Sequence, residues 1–333
     1  MSSPAPPLFP IFHTPLYLLH DPPTEVLSGR PVPYIESPTR YHRVLEALLP
    51  ADNSGGRFEE HKLDWERDDV VTPELLAAVR AVHGEEYLAF LREIYDEWVA
   101  EGGSKDAALP ETFLRQDLLL DPAQDGEELS KGSAIAQIGR FSFDLSAPVT
   151  ADTYISALAS ARLALCTLTH LISTPSLQGA FALCADFQSQ VQAVAAGGGK
   201  GRVAILDNDY HHGNGTSKVF WDDPRVLYVS LHVAKDYPWY TGAAAEVGGP
   251  SARGTNVNYP LPLGTGNGEY LTTLKKAVEK VREWRAELLI VSLGVDTYID
   301  DPLTDFRITL EAFPMMGRSI GAAETDKMLF CSP

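Results

Sequence analysis

Four short runs, Gly179 to Cys184, Arg202 to Leu206, Val226 to Leu231 and Leu288 to Leu293, are apolar almost from end to end. A strand with one wet face alternates apolar and polar side chains; a run without that alternation belongs to a strand covered on both faces, the signature of a parallel sheet. Around them, Thr72 to Arg80, Glu85 to Trp98, Ala151 to Ile172, Asp186 to Ala196, Tyr270 to Arg285 and Leu310 to Ala323 carry apolar residues at helical spacing. Strands and helices that alternate in this way predict an α/β sheet with helices on its faces. In such sheets ligands gather at the carboxyl ends of the strands.

A chain of 333 residues, 44% hydrophobic and 22% charged, is ordinary globular material. No internal repeat and no Gly/Ser linker interrupts it. Only a Pro-rich first 40 residues and a polar loop from Asp121 to Gly132 stand out, so a single domain over 1–333 is the economical expectation. The net charge of −18 disfavours direct nucleic-acid binding, which needs a basic face, and favours cationic ligands. Cys166, Cys184 and Cys331 lack CxxC spacing and read as reduced thiols of an intracellular protein, in cytoplasm or nucleus. No apolar run approaches the roughly 18 residues of a spanning helix, and Met1 to Pro10 lacks the regions of a secretory signal, so no membrane association is expected.

The densest chemistry follows the second run, in Asp207-Asn208-Asp209-Tyr210-His211-His212-Gly213-Asn214-Gly215-Thr216. In extended backbone, residues two apart point the same way, so Asp209 and His211 can converge on one point with Asp207 just behind. The run Leu288 to Leu293 leads into Gly294-Val295-Asp296, which brings a second carboxylate to the same sheet edge. Asp209, His211 and Asp296 make a three-ligand set with room for water, the pattern of a catalytic zinc rather than a structural one. Oxygen and nitrogen donors also suit iron, cobalt or manganese. A turn whose aspartates cap backbone amides accounts equally well for a bare Asp-His cluster, and an aspartate after a strand is more often a loop cap than a ligand.

LDNDYHHGNGTSKVFWDDPRVLYVSLH resembles the metal-binding stretch of histone deacetylases, and VSLGVDTYIDDPLTDFRIT that of acetylpolyamine amidohydrolases within the same superfamily. The likeness extends to GRPVPYIESPTRYHRVLEALL, VHGEEYLAFL and AFALC, and so covers most of the chain. It implies a three-layer α/β/α arginase/deacetylase-like fold with a mainly parallel central sheet, and zinc on Asp209, His211 and Asp296. It further implies a potassium ion held by Asp207, Ser230 and Leu231, with oxygens of Asp209 and His211 contributing. Tyr237, before Pro238, falls where the family has an aromatic wall of the substrate tunnel, with Gly294 in the same pocket. Glu127 and Glu128 fall where polyamine-selective relatives carry carboxylates, though a solvated charge run explains them as well.

The resemblance also implies groups that this sequence lacks. The family draws its general base from a tandem histidine segment after AFALC; here Cys184 runs straight into Ala185-Asp186-Phe187-Gln188. An internal deletion after about residue 184 is the expectation, with His232 the one stand-in and packing its commoner role. A C-terminal truncation is expected too, because Asp326 to Cys331 resembles the strand that leads into the loop of the oxyanion tyrosine. No residue is therefore assigned as general base or oxyanion donor. The functional expectation is a zinc-dependent deacetylase of acetylated amines, acetylpolyamine or acetyl-lysine, impaired in this chain. The alternative is a catalytically inactive metal-binding or acetyl-amine-binding homologue, acting for instance within a homodimer. An arginase-like manganese hydrolase is disfavoured, since a binuclear site needs more Asp and His ligands.

Overall fold

Among the described residues ten strands form: β1 (Phe9–His13), β2 (Thr24–Leu27), β3 (Arg30–Pro33), β4 (Phe58–Lys62), β5 (Gly179–Leu183), β6 (Val203–Asp207), β7 (Val226–Val233), β8 (Asn256–Leu261), β9 (Leu288–Ser292) and β10 (Lys327–Ser332). The computed structural model describes residues 8–50, 57–115, 132–184 and 201–332. The helix expected over Asp186 to Ala196, all of the polar loop from Asp121 but Gly132, and Glu127 and Glu128 lie outside the described residues. Eight strands make one sheet in the order β4-β1-β5-β10-β9-β6-β7-β8, and every pairing in it is parallel. The four apolar runs are β5, β6, β7 and β9, each within two residues of its expected bounds. β5, β6, β7 and β9 are buried along their whole length, which is why they carry so few polar residues.

Chain contacts divide the structure into two compact units that interleave in sequence. The first takes Met1–Thr14, Ala51–Leu63 and Ser160–Pro333 and contains the large sheet. On one face Ala204, Leu206, Leu227, Val229, Leu231, Leu289 and Val291 pack against Leu274, Val278 and Val281 of the helix Asn267–Trp284 and Met316 and Ile320 of the helix Phe313–Gly321. The register sets the other face. His61, Phe12, Ala182, Cys331, Ser292, Asp207, Ser230 and Asn258 are successive partners and form one row across all eight strands. Side chains paired in register share a face. The row therefore lies opposite the helix-packed core, and His170 of the helix Thr153–Ser173 packs on Phe12 there, ring centroids 5.3 Å apart. Helices thus cover both faces, the three-layer arrangement expected.

Two expectations need correction. β7 does alternate: Leu227, Val229, Leu231 and Val233 enter the core, while Tyr228, Ser230 and His232 line the opposite face. The physical reason is that this face runs out under the polar carboxyl edge. The helix Thr153–Ser173 is also long and apolar enough to cross a membrane by length and composition, contrary to the expectation that no segment would be. More than half of it is buried inside the protein, as in the core helix of a globular domain.

The second unit takes Pro15–Pro50 and Asp64–Ala159. It contains the antiparallel hairpin β2-β3 and the helices Pro38–Leu48, Pro73–Arg80, Glu85–Ala100 and Ala134–Phe141. Ile94, Trp98, Ala108, Ala134, Ile138 and Val149 form a core there. Thr72 caps Pro73–Arg80 by accepting the Leu75 N–H at 3.2 Å, which fixes that helix start at the expected residue.

Leu289 has no solvent exposure and sits in the middle of the helix-packed core. Leu289→Ala is expected to destabilise the protein by about 2–5 kcal/mol, read as a lower denaturant midpoint; a midpoint unchanged from the parent would show that this face repacks freely.

Candidate metal centre

β6 and β9 are neighbours, with Asp207 opposite Ser292, so their carboxyl ends release the chain side by side. The Asn208 N–H donates to Ser292 O at 3.1 Å and its side-chain amide to Gly294 O at 3.4 Å, holding the two exit loops together. In that setting Asp209, His211 and Asp296 converge, with one donor atom from each within 4.8 Å of the others. Among the described residues no other trio of His, Cys, Asp or Glu does so. His211 Nδ1 lies 3.4 Å from Asp296 Oδ2 and 3.7 Å from Asp209 Oδ1. A tetrahedral ion with ligand bonds of about 2.1 Å keeps its donors roughly 3.4 Å apart. His211 already stands at nearly that spacing from both carboxylates.

Backbone amides aim the carboxylates. The His211 N–H donates to Asp209 Oδ1 at 2.8 Å, a local turn of the kind aspartates favour, and the Tyr210 N–H donates to Asp296 Oδ1 at 3.0 Å. The turn-cap reading left open by the sequence is thus correct for part of each carboxylate, and it is compatible with ligation through the remaining lone pairs. Gly294 lies against the ligand loop: a Cβ there would come within 2.4 Å of Asp209 Cα. Only glycine lets the two exit loops approach this closely.

Electrostatics fit a cation. Burial pushes Asp209 up to about 6, with the Asp296 charge adding to the effect. Burial also pushes Asp207 up to about 7, helped by Asp209. Burial opposes a charge on His211, yet hydrogen bonds and charges from Asp209 and Asp296 prevail and raise it to about 10. Two half-buried carboxylates side by side favour a positive partner, and without an ion the imidazolium supplies it. A dication bound by two carboxylates and a neutral imidazole satisfies the same demand, so the donor set fits zinc or a similar metal.

Behind the trio, the Tyr228 hydroxyl donates to Asp207 Oδ2 at 2.8 Å, and a side chain at Gly213 would collide with both groups. Ser230 and Asp207 share the same row, whereas Leu231 turns its side chain into the helix-packed core and could offer a cation only its main chain. His232 is buried, its Nε2 2.9 Å from Gly242 O and its Nδ1 2.7 Å from Ser230 Oγ. A carbonyl can only accept, so Nε2 carries the proton and Nδ1 accepts from the Ser230 hydroxyl. Neither ring nitrogen is left for a substrate, which makes His232 a packing residue. His212 is likewise buried and its Nδ1 lies 2.9 Å from Thr241 Oγ1.

Tyr237 sets its ring edge against His211, centroids 5.6 Å apart at 86°, and Trp239 packs on Tyr237 at 5.4 Å. The Tyr237-Pro238 peptide is cis. Trp239, 61% exposed, and Tyr240, 84% exposed, extend this aromatic loop into solvent. Neither was singled out from the sequence, although the aromatic run Tyr237-Pro238-Trp239-Tyr240 was there to be read. Tyr210, Asp236 and Asn258 were also missed; nothing in their local sequence marks a role.

A profile of the histone deacetylase domain matches residues 34–331. The chain is 34% identical over 326 residues to acetylpolyamine amidohydrolase 2 of Pseudomonas aeruginosa, covering 91% of this chain and 87% of that protein. It is 30% identical over 311 residues to the acetylpolyamine amidohydrolase of Mycoplana ramosa, covering 90% and 87%. The crystal structure of an acetylpolyamine aminohydrolase from Burkholderia pseudomallei superimposes with a TM-score of 0.80 at 28% identity, over 97% of this chain and 93% of that one.

His212 and His232 are both held at about 4, by burial in each case, and for His232 also by its neighbour His212. Depressed folded values mean that the stability tied to these rings is full above about pH 6.5 and is lost as pH falls through about 4. Asp207 and Asp209 act in the opposite sense, so the check is site-resolved. Nitrogen-edited NMR should show His232 as the neutral Nε2–H tautomer, with no titration between about pH 8 and 5; a midpoint above 6 would contradict the burial described.

Proposed function

The chain belongs to the histone deacetylase family, and on that premise we propose that it is a zinc-dependent amidohydrolase acting on acetylated amines, acetylpolyamines ahead of acetyl-lysine. The observation that carries the reading is the convergence of Asp209, His211 and Asp296 at the shared edge of β6 and β9, with donor atoms within 4.8 Å of one another. The lean toward polyamines rests on relatives that bear that activity in their names and on a net charge of −18, whose field draws in cationic amines.

Asp209, His211 and Asp296 would hold the zinc, which when bound supplies a Lewis acid for the acetyl carbonyl and a more acidic water. Gly294 keeps the backbone of Asp209 close enough to take part. Tyr237 would form a wall for the acyl-amine chain beside His211. Asp207, Ser230 and the main chain of Leu231 would hold potassium in the row behind, where a monovalent cation would offset the buried Asp207 carboxylate. The reading treats 1–333 as one deacetylase-like domain with a shortened connection after about residue 184.

Amide cleavage at such a centre also needs a group to take and return a proton. The tandem histidine of this sequence is His211-His212; the first is committed to the trio, and the second is buried and neutral. His232 has both ring nitrogens engaged. We infer that turnover is slowed by roughly 10²–10⁴ for want of a general base. The same observation favours the second reading, an inactive homologue that binds metal or acetyl-amine.

Metal analysis of the purified protein, with turnover on acetylputrescine and on an acetyl-lysine peptide, separates these. One zinc per chain is expected, abolished by Asp209→Ala and bound roughly 10–100-fold more weakly in Gly294→Ala. Slow zinc-dependent release of acetate supports the enzyme, and zinc without turnover supports the inactive homologue. Rapid turnover would overturn the inferred impairment; failure to bind zinc would sink the enzyme reading, and failure to bind acetylputrescine as well would sink both.

A further inference from the structure

Tyr210 lies between two members of the metal trio in sequence, yet its ring is fully buried against Phe306, centroids 4.7 Å apart. Its three polar groups reach three different segments. The N–H donates to Asp296 Oδ1 at 3.0 Å in the loop after β9, and the carbonyl accepts the Val233 N–H at 2.8 Å at the end of β7. The hydroxyl donates to Asp236 Oδ2 at 2.9 Å in the loop after β7. A phenol in an apolar core is an expensive choice over phenylalanine unless its hydroxyl is needed.

Asp236 uses its second oxygen locally. Oδ1 accepts the Tyr237 N–H at 2.7 Å, and the Asp236 carbonyl accepts the Trp239 N–H at 2.7 Å. One carboxylate therefore connects the core phenol to the start of the aromatic loop whose Tyr237 ring stands on His211. The imidazole and the aromatic ring packed against it both trace back to the same residue.

We propose that Tyr210 and Asp236 are a positioning pair: their hydrogen bond holds the start of the aromatic loop from within the core, and so fixes where the Tyr237 wall rests against His211 beside the path of an acyl-amine chain. The proposal rests on reading Asp209, His211 and Asp296 as metal ligands and Tyr237 as a tunnel wall. Tyr210 touches no substrate in this scheme and acts through Asp236.

The test compares Tyr210→Phe, Asp236→Ala and the double variant. The readouts are amide hydrogen exchange at Tyr237 and Trp239, zinc affinity by chelator competition, and binding of a short alkyl hydroxamate to the zinc-loaded protein. Tyr210→Phe keeps the ring, so zinc affinity should match the parent while exchange at both amides speeds up and hydroxamate binding weakens, each roughly tenfold. Asp236→Ala orphans a buried hydroxyl and should lower the thermal midpoint. The double variant should recover the midpoint but neither the slow exchange nor the hydroxamate affinity, with effects far from additive. Unchanged exchange in Tyr210→Phe would overturn the proposal, as would a lower thermal midpoint accompanied by parental exchange and hydroxamate affinity. If the parent protein takes up no zinc, the metal reading fails, and the exchange rates alone still decide whether Tyr210 holds the loop.

Discussion

The register between β6 and β9 is the constraint on which the carboxyl edge depends. With Asp207 opposite Ser292, the loop bearing Asp209 and His211 leaves the sheet beside the loop bearing Asp296. A slip by one residue would turn Asp207 into the helix-packed core and carry Asp296 away from its partners, because side chains alternate faces along a strand. The register is held by apolar burial on both sides: Ala204, Leu206, Leu289 and Val291 on one face, Val203, Ile205 and Ile290 on the other. Packing far from the site therefore specifies where three donor atoms meet.

That packing is also what made the fold readable. The central strands β5, β6 and β9 are apolar on both faces and leave nearly unbroken runs in the sequence, while β7 is apolar on its core face and polar on the other. β4 and β8 lie at the edges, and their sequences, FEEHK and NVNYPL, carry the charge, asparagine and proline that edge strands tolerate well, so they leave no apolar run. β1 was hidden in the Pro-rich opening, and the β2-β3 hairpin has too few residues to show a period. The helix expected from Leu310 begins only at Phe313, where Pro314 can occupy the first turn.

The site was legible in the same uneven way. Asp209 and His211 are two apart after a strand, and that spacing alone brings them together; Asp296 needed the adjacency of β6 and β9, which the sequence implies only through the resemblance. The bond from Tyr210 to Asp236 spans 26 residues and leaves no local trace. His232 could be judged only once its ring partners were known, since the same residue in a looser setting would be an acceptable base. Ser230, with its hydroxyl given to His232, shows how the polar row is satisfied by short side-chain bonds.

The strand order carries a consequence for how the sheet is assembled. Among the described strands, β4-β1-β5 and β9-β6-β7-β8 are paired to one another only through β10, which follows all the others in sequence. Until that segment is in place, the two part-sheets present open edges to one another and share no strand pairing. Closure of the sheet therefore waits on the strand made last among those described, long after the first is available. Before β10 inserts, β5 and β9 each keep an open inner edge, the state in which chaperone capture or mispairing with another chain competes most strongly with folding.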